Sequence, residues 1–446
     1  MTADASSAGT GGAVGTTGIT STPGTTGSTS TASTPPPAGA GAATAPAHRD
    51  PQVLRWLGAH TASTLGDSVY HLALSWTAVS SGTPAQAGLV MAVSAVPRAL
   101  LMLAGGVIAD RLGPRRVVIA SDTVRCLLVL GLAATLLLTS PGLWVLAAVA
   151  LLFGIVDALF LPAVGALPPR ITTRDQLARV QGMRGLSYRL GAVLGGPLGG
   201  LAVALGGQAT AFGVAGLLFA LSIPLLCALR LRQLPAGDET RDGTALRDLA
   251  DGLRYVRGHR VLGPLMIVVL LSDLGFVGPF NVGLALLAEQ RGWGASGIGW
   301  ILAGFGTGAG AASLLLTVRG RVPRAGLLSG WTMTVGAVSV GALAHTAHLA
   351  AAVALALSVG LLAGLSGALC NALVQTECDP AYLGRVTAVA SLCSLGVAPL
   401  SFPVTGAAIQ LWGIGPVYAV SAAICALAGL YSLAVPAVRR AELPRG

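Results

Sequence analysis

Residues 142–166 read GLWVLAAVALLFGIVDALFLPAVGA and contain a single charged side chain, that of Asp157. A helix of about 20 apolar residues crosses the hydrocarbon core of a bilayer, which is about 30 Å thick. The stretch therefore predicts a transmembrane helix. The composition of the whole chain favours the same class, because 53% of its 446 residues are hydrophobic and 10% are charged, against about 25% charged in soluble domains.

Similar apolar stretches recur along the chain and predict twelve membrane-spanning helices. Glycine and proline inside several of them are tolerated where neighbouring helices satisfy the backbone. The predicted fold class is an all-α membrane protein. The twelve spans are placed at residues 54–80, 85–109, 115–139, 142–166, 185–206, 209–230, 262–288, 296–318, 325–345, 348–373, 386–410 and 414–436.

The basic residues indicate how the spans are oriented. All 27 of them are arginine, and most lie in the loops after spans two, four, six and eight, at the start of span eleven and in the C-terminal tail. Because cytoplasmic loops carry the excess of positive charge, both chain ends are predicted on the cytoplasmic side, which requires an even number of spans. The positive charge, +10 for the whole chain, is therefore explained by the arginines of the cytoplasmic loops. No nucleic-acid partner is expected.

The spans divide the chain into two bundles with polar segments around them. Residues 1–49 consist largely of Thr, Gly, Ser, Ala and Pro, and they are predicted to be a disordered tail because they can bury little apolar surface. The other predicted parts are a six-helix bundle at 50–230, a cytoplasmic linker at 231–261, a second six-helix bundle at 262–438 and a cytoplasmic tail at 439–446.

The linker contains one amphipathic pattern. Leu246, Leu249, Leu253 and Val256 recur at helical spacing, which predicts a helix with one apolar face. Such a helix either lies along the cytoplasmic face of the membrane or forms a solvated connection between the two bundles.

The sequence lacks several features that other classes of function require. The chain has no lysine, so it cannot form the phosphate-binding loop that needs one, and ATP-driven transport by this chain is not expected. The six cysteines show neither metal-ligand spacing nor a disulfide framework, and no metal or other cofactor is expected. No nucleophile and base converge in a soluble segment, so the chain is not predicted to be an enzyme. A monomer in the lipid bilayer is expected.

The two halves of the chain repeat each other at an offset of 206 residues. The matched pairs include Asp67 with Asp273, Arg179 with Arg385 and Pro197 with Pro403. Parallel repeats of six spans place the substrate path where the two halves meet, near the middle of the membrane.

The loop after span two has a distinctive pattern. It reads GVIADRLGPRR from Gly106 to Arg116, with the charged and glycine positions at Asp110, Arg111, Gly113 and Arg115. This pattern resembles the signature loop of the major facilitator superfamily, and the likeness extends over about residues 50–440. The resemblance implies the major facilitator fold and transport by alternating access.

Other segments resemble the drug:proton antiporter subgroup that contains macrolide-efflux pumps and enterobactin exporters. They are LGDS at residues 65–68, Asp122 with Arg125, and DALFLPA at residues 157–163. The span-five glycine motif, Gly196-Pro197-Leu198-Gly199-Gly200, is one residue shorter than the motif of antiporters. The second-half counterpart of the signature loop lacks the aspartate, and span four lacks the arginine of the family.

The resemblance implies a function and a moving contact. The expected function is proton-coupled efflux of a hydrophobic or amphipathic small molecule, such as a drug, an antibiotic or a siderophore-like metabolite. The resemblance also implies that Asp110 faces the start of span eleven beside Arg385, where the helix dipole favours a negative charge, and that this latch holds the halves closed on the cytoplasmic side. The alternatives are an importer or uniporter of a small metabolite, and a non-transporting membrane sensor that retains the fold.

Charged side chains inside the spans are the remaining candidates, because each costs on the order of 2.5–3.5 kcal/mol at the centre of the membrane. Asp67 has His71 one helical turn further along span one, and Asp273 is its counterpart in span seven. Burial favours the neutral form of a carboxyl group, so either aspartate is a candidate for taking up and releasing a proton. A fixed, hydrogen-bonded contact between helices is the alternative for both.

A second group of charges lies in spans two to four. Asp122 and Arg125 are three residues apart and are predicted to pair on one helix face, and Asp157 in span four reaches a similar depth. These three residues carry a net charge of −1, so one of the acids could titrate, although a structural ion pair is the alternative. Arg98 is predicted to pair with either Asp67 or Asp157.

Overall fold

The computed structural model describes residues 49–173, 176–231, 245–319, 322, 324–379 and 382–442. Within these ranges it describes the side chains of all residues except those at positions 102–104, 106, 107, 110, 178, 245, 246, 248 and 319. The predicted N-terminal tail therefore lies outside the described residues, apart from its last position.

The described part of the chain is α-helical, with one π-helical turn, Pro279–Gly283, that joins two helices of the second half. The helices are α1 (Pro51–Ser81), α2 (Pro84–Leu112), α3 (Pro114–Leu138), α4 (Leu143–Gly165), α5 (Pro168–Ile171), α6 (Leu177–Cys227), α7 (Ala245–Gly258), α8 (Leu262–Gly278), α9 (Leu284–Gln290), α10 (Gly294–Arg319), α11 (Ala325–Leu343), α12 (Leu349–Glu377), α13 (Leu383–Trp412), α14 (Ile414–Ala434) and α15 (Pro436–Arg439).

The helices give twelve membrane crossings. Ten segments are long and apolar enough to cross a membrane, and α8 and α9 together form one of them. α6 counts as one of the ten segments but contains two crossings, because the chain reverses at Gly207. The φ of 76° and ψ of −170° at this residue are not helical. The remaining crossing is α1, a helix of 31 residues that carries Asp67 and two histidines. The one clear shift from the predicted spans is in span five, whose helix begins at Leu177 rather than at residue 185.

The repeat of 206 residues is also present in the backbone. Gly207 and Gly413 are 206 positions apart, and Gly413 has a φ of 81° and a ψ of 173°, nearly the conformation of Gly207. A positive φ of this kind is accessible to glycine because it lacks a Cβ. The starts of α4 and α12, Leu143 and Leu349, are separated by the same offset. The two six-span halves therefore share one architecture.

The most extensive contacts between the two halves among the described residues are along two helix pairs, α2 with α13 and α6 with α10. Glycines allow the backbones to approach closely. A Cβ added to Gly88 would lie 2.5 Å from the carbonyl oxygen of Phe402, and one added to Gly299 would lie 2.5 Å from that of Gly196. Both positions lie toward the end of the molecule where α1 ends and α2 begins, so the halves are in close contact at that end.

The linker segment forms α7, which packs against the start of α13. The ring of Tyr255 stacks on that of Tyr382 with centroids 4.4 Å apart, and a Cβ added to Gly252 would lie 2.9 Å from the carbonyl oxygen of Arg385. The predicted apolar stripe is divided, because Val256 is buried whereas Leu253 is 47% exposed. Leu249 of the same stripe packs against the cluster that contains Val256, and the helix is docked there through Gly252 and Tyr255.

Candidate functional site

Arg125 lies at the centre of a charge cluster in the first bundle. Its side chain is fully buried, and it forms ion pairs with three carboxylates from three helices. The guanidinium lies 3.5 Å from Asp122 on its own helix α3 and 3.5 Å from Asp67 on α1. Its shortest contact is with Asp157 on α4. A buried guanidinium requires such partners, because an unpaired charge in this environment is strongly unfavourable.

Arg98 completes the cluster from α2. Its guanidinium lies 3.4 Å from the carboxylate of Asp157, so the structure places it beside Asp157 rather than Asp67. Asp157 consequently lies between two guanidiniums, those of Arg98 and Arg125. All five charged residues that the sequence analysis identified in spans one to four lie in this one cluster.

Asp122 is held by hydroxyl groups as well as by Arg125. The hydroxyl of Ser63 on α1 donates to its Oδ2 atom at 2.6 Å, and the hydroxyl of Ser222 on α6 donates to the same oxygen. The carboxylate is fully buried. The two serines were not identified from the sequence, because hydroxyl side chains are frequent in membrane helices and nothing in their local sequence indicates a partner.

Three phenylalanine rings surround the guanidinium of Arg125. Its Cζ atom lies 3.9 Å from the centroid of Phe160, 5.2 Å from that of Phe153 and 5.7 Å from that of Phe219. Aromatic faces attract cations, most strongly where water is excluded. The rings therefore stabilise the charge and fix its position, and they too were not predicted from the sequence.

Asp67 differs from the other two carboxylates of the cluster. Its side chain is 29% exposed, against 9% for Asp157 and 0% for Asp122. Its Oδ1 atom makes no hydrogen bond within the described part of the chain, and Arg125 is its one ion-pair partner among the described residues. With all groups ionised, three carboxylates and two guanidiniums give the cluster a net charge of −1.

His71 was predicted to lie near Asp67, one helical turn further along α1. The imidazole ring of His71 lies beside two aromatic rings. Its centroid is 5.3 Å from that of Tyr70 and 6.1 Å from that of Phe153. Its Nδ1 atom has no hydrogen-bond partner among the described residues. The imidazole therefore lies against rings on one side of the charge cluster.

The signature loop forms the tight turn between α2 and α3. Gly113, with a φ of 86°, ends α2, and Arg111 and Arg116 are exposed. Arg115 donates from its Nε atom to the carbonyl oxygen of Leu226 at 3.2 Å, which fixes the turn to the end of α6.

The predicted latch between Asp110 and Arg385 remains a prediction. Asp110 lies in the last turn of α2. Positions 106 and 110 are among those whose side chains the structure does not describe. Arg385 lies in the first turn of α13, with its guanidinium 5.5 Å from the ring centroid of Tyr382.

The span-five glycine motif lies at two helix contacts. A Cβ added to Gly196 would lie 2.8 Å from the Cβ of Leu302, and one added to Gly200 would lie 2.7 Å from the carbonyl oxygen of Ala295. These two glycines face α10 of the other half. Gly199 faces α1 instead, and Pro197 lies between them inside α6.

Asp273 lies apart from the charge cluster, in α8 of the second bundle. It lines a cavity of about 500 Å³ inside that bundle. Ser394 lines the same cavity. Among the described residues, no arginine or histidine nitrogen lies within ion-pair distance of it. The two aspartates that match in the repeat therefore have different partners.

Known proteins resemble the chain in sequence and in fold. The chain is 26% identical over 407 residues to the multidrug efflux pump Tap of Mycobacterium tuberculosis, covering 85% of this chain and 92% of Tap. It is 27% identical over 301 residues to the enterobactin exporter EntS of Escherichia coli, covering 68% of this chain and 71% of EntS. The crystal structure of the nucleoside transporter NupG superposes with a TM-score of 0.69 at 14% identity, covering 86% of this chain and 98% of NupG.

The sequence profile of the Major Facilitator Superfamily matches residues 57–395, which is more than half of the chain. The twelve crossings in two repeated halves agree with that match, and the members of this family are membrane transporters rather than enzymes. The chain therefore belongs to the major facilitator superfamily.

Proposed function

We propose that the protein is a proton-coupled exporter of hydrophobic or amphipathic small molecules that works by alternating access. The observation that carries the proposal is the position of Asp67, a partly exposed carboxyl group in contact with a buried cluster that has one negative charge in excess. The proposal places the protein in the cytoplasmic membrane with both chain ends on the cytoplasmic side, as the arginine distribution favours.

Asp67 is the best candidate for the proton site among the three carboxylates. Asp122 accepts hydrogen bonds from two serines, and Asp157 lies between two guanidiniums, whereas Asp67 contacts one guanidinium and its Oδ1 atom accepts no hydrogen bond within the described part of the chain. Protonation of Asp67 brings the net charge of the cluster to zero. Because a net charge inside the membrane is costly, the occupancy of this site by a proton changes the free energy of any state in which the cluster is shielded from water.

Coupling follows if Asp67 faces opposite sides of the membrane in the two states. When it is ionised, its carboxylate is attracted to the guanidinium of Arg125. When it is protonated, that attraction is largely lost and α1 is free to shift against α3 and α4. A proton taken up on one side can then be released on the other, in exchange for substrate.

The direction of transport is proposed from the relatives, since Tap is described as an efflux pump and EntS as an exporter. The apolar composition of the spans suits a hydrophobic or amphipathic solute. With the predicted orientation, the close contacts between the halves at Gly88 and Gly299 lie at the extracellular end.

Inside-out membrane vesicles with an acidified interior test the proposal. Ethidium, a fluorescent amphipathic compound, is added outside, and its accumulation is followed with and without a protonophore. We expect protonophore-sensitive accumulation that Asp67→Asn reduces at least about tenfold. The matched control is Asp251→Asn on α7, whose carboxylate pairs with the exposed Arg254. Accumulation by Asp67→Asn equal to that of the unmodified protein contradicts the proposed role of Asp67, and accumulation unaffected by the protonophore contradicts proton coupling.

A further inference from the structure

Helix α1 contains most of the buried polar side-chain atoms that have no hydrogen-bond partner among the described residues. Buried polar groups in folded proteins are almost always hydrogen-bonded, so a group of exceptions in one helix requires an explanation. The atoms on α1 are Nε1 of Trp56, both ring nitrogens of His60, Oδ1 of Asp67, the hydroxyl oxygen of Tyr70, Nδ1 of His71 and the hydroxyl oxygen of Thr77.

These side chains lie on one face of α1. With about 3.6 residues per helical turn, positions 56, 60, 67, 70, 71 and 77 fall within about a third of the helix circumference. The face is turned toward the interior of the first bundle, where the ring of Tyr70 stacks on that of Phe153 with centroids 3.8 Å apart and Asp67 pairs with Arg125. A line of polar groups therefore runs along α1 and passes through the charge cluster.

The second half shows that the fold does not require this polar line. At the offset of 206 residues, Asp273 of α8 matches Asp67, but the other positions of the line carry apolar residues or glycine. Examples are Met266 at the position of His60, Phe276 at that of Tyr70, Val277 at that of His71 and Gly283 at that of Thr77. The polar line is therefore a property of the half that contains the charge cluster.

His60 lies on this line between Asp67 and the predicted cytoplasmic end of α1. It precedes Asp67 by seven residues, which is about two helical turns and about 10 Å along the axis. The side chain is 8% exposed, and its ring lies parallel to that of Trp56 with centroids 5.6 Å apart. Both ring nitrogens are without a partner among the described residues, so one can accept a proton while the other donates one.

Ser63 extends the charge cluster toward His60. Its hydroxyl donates to the Oδ2 atom of Asp122 at 2.6 Å, and Asp122 and Asp67 both pair with Arg125. Ser63 follows His60 by three residues, so the two side chains are neighbours on the helix surface. The cluster therefore reaches to within one helical turn of the imidazole.

A cation on α6 lies near the imidazole. The two helices pack closely, because a Cβ added to Gly191 of α6 would lie 2.6 Å from the Cγ2 atom of Thr64. Arg184 precedes Gly191 by seven residues and His60 precedes Thr64 by four, so Arg184 lies on the face turned toward α1, about one turn from the level of His60. The charge of Arg184 acts on the imidazole. Because like charges repel, an imidazolium at this position passes its proton on rather than keeping it.

We propose that His60 relays the proton between the Asp67 cluster and the cytoplasm. When substrate enters from the cytoplasm and displaces the proton of Asp67, one ring nitrogen of His60 accepts that proton and the other nitrogen releases its own proton to water on the cytoplasmic side. The imidazole is neutral before and after the step. Histidine suits this task because it gains and loses a proton near neutral pH. The inference rests on the proposed function and adds the route by which its proton reaches the cytoplasm.

The rate of substrate-induced proton release tests the relay. The purified, full-length protein in weakly buffered detergent solution is mixed with saturating ethidium in a stopped-flow instrument, and a pH-sensitive dye records the released protons. We expect His60→Gln to slow the release at least about tenfold, within the range by which a positioned acid–base group accelerates proton transfer. The amount of proton released and the affinity for ethidium should stay the same, because Asp67 and the path between the halves are unchanged.

A second variant and a control separate a relay from a structural role. His60→Met introduces the residue that the second half carries at the matching position, and it should slow the release as His60→Gln does. In both variants the rate should fall further in deuterium oxide than it does in the unmodified protein, since proton transfer becomes the slow step. The matched control is His348→Gln, an exposed histidine at the start of α12, which should release protons at the unmodified rate.

Each outcome bears on either the relay or the proposed function. Release of the full amount at a lower rate in both His60 variants supports the relay. Release at the unmodified rate overturns the relay and leaves the role of Asp67 intact. A smaller amount of released proton or weaker ethidium binding, without a lower rate, assigns His60 a structural role and also overturns the relay. Absence of release from the unmodified protein overturns the proposed function and the relay with it.

Discussion

The hydroxyl of Ser75 on α1 donates a 3.0 Å hydrogen bond to the carbonyl oxygen of Asn281, and these two residues are 206 positions apart in the chain. They are therefore equivalent positions in the two halves. A direct contact between equivalent positions lies close to the pseudo-two-fold axis that relates the halves. Asn281 lies in the π-helical turn Pro279–Gly283, a rare local structure that is frequent at functional sites.

Replacing this hydroxyl is expected to change the balance between the conformational states. Ser75→Ala removes one hydrogen bond between the halves, with a net value of about 1 kcal/mol, which corresponds to about a fivefold change in the ratio of two states. Spin labels at positions 81 and 412, in a background without native cysteines, would report the separation of the halves at that end. We expect the longer distance to become more populated.

The control for this measurement is Ser358→Ala on α12, because the Ser358 hydroxyl donates to Ala354 within its own helix. If the distance distribution of Ser75→Ala matches that of the control, the contact between Ser75 and Asn281 does not stabilise this state.

The contact between α6 and α10 leads to a second prediction. Gly299→Ala places a Cβ 2.5 Å from the carbonyl oxygen of Gly196, which is closer than real Cβ contacts, so α6 and α10 must separate. We expect the same spin-label pair to show a shift toward the longer distance. Gly310→Ala on the same helix serves as the control, because a Cβ there has no neighbour within 4 Å among the described residues. Equal distributions for the two variants would show that the helices can move apart locally without opening the end of the molecule.

The fold could be predicted from the sequence because the relevant signals are local. Apolar stretches of membrane-spanning length indicated the twelve crossings, and the repeat of 206 residues indicated the matching halves. The reversal at Gly207 falls in the predicted gap between spans five and six. The packing of α7 could not be predicted, because it depends on Tyr255 and Gly252 meeting α13, which lies more than a hundred residues further along the chain.

The candidate site was predictable in part for the same reason. Charged residues are conspicuous in apolar spans, so Asp67, Arg98, Asp122, Arg125 and Asp157 could be identified singly. The contacts of the three aspartates with Arg125 and of Arg98 with Asp157, and the serines and phenylalanines around them, depend on how five helices pack. The cavity beside Asp273 could not be predicted from the sequence for a further reason. It forms where side chains of the second half are small and the side chains at the matching positions of the first half are large.

The buried cluster should be important for stability as well as for coupling. Arg125→Met leaves three carboxylates in the core without their common partner, and the loss of one member of a buried ion pair destabilises proteins by about 3–5 kcal/mol. We expect a clear fall in the thermal unfolding temperature of the detergent-solubilised protein. Adding Asp157→Leu to Arg125→Met should recover part of the loss, since it removes one unpaired charge.

The matched control for Arg125→Met is Arg254→Met. Arg254 is 81% exposed in its pair with Asp251, and exposed pairs contribute about 0–1 kcal/mol. An unfolding temperature of Arg125→Met equal to that of this control would contradict a structural role for the cluster.

The docking of α7 provides a prediction about local stability. Tyr255→Ala removes the stacking on Tyr382 and the acceptor for the backbone N–H of Asp379, whose nitrogen lies 3.2 Å from the Tyr255 hydroxyl. Aromatic pairs contribute about 0.5–1.5 kcal/mol beyond their buried area. We expect amide hydrogen exchange in residues 245–258 to become about tenfold faster. Leu253→Ala, on the exposed side of the same helix, should leave it nearly unchanged, and equal exchange in both variants would contradict docking through Tyr255.

The central claim is that Asp67 holds the proton that is exchanged for substrate. Its most direct test is to add a saturating amphipathic substrate to the purified protein in weakly buffered detergent solution and to record proton release with a pH-sensitive dye. The account predicts release of about one proton per protein molecule, and no release from Asp67→Asn under conditions where that variant still binds the substrate. Release of the same number of protons from Asp67→Asn would contradict it.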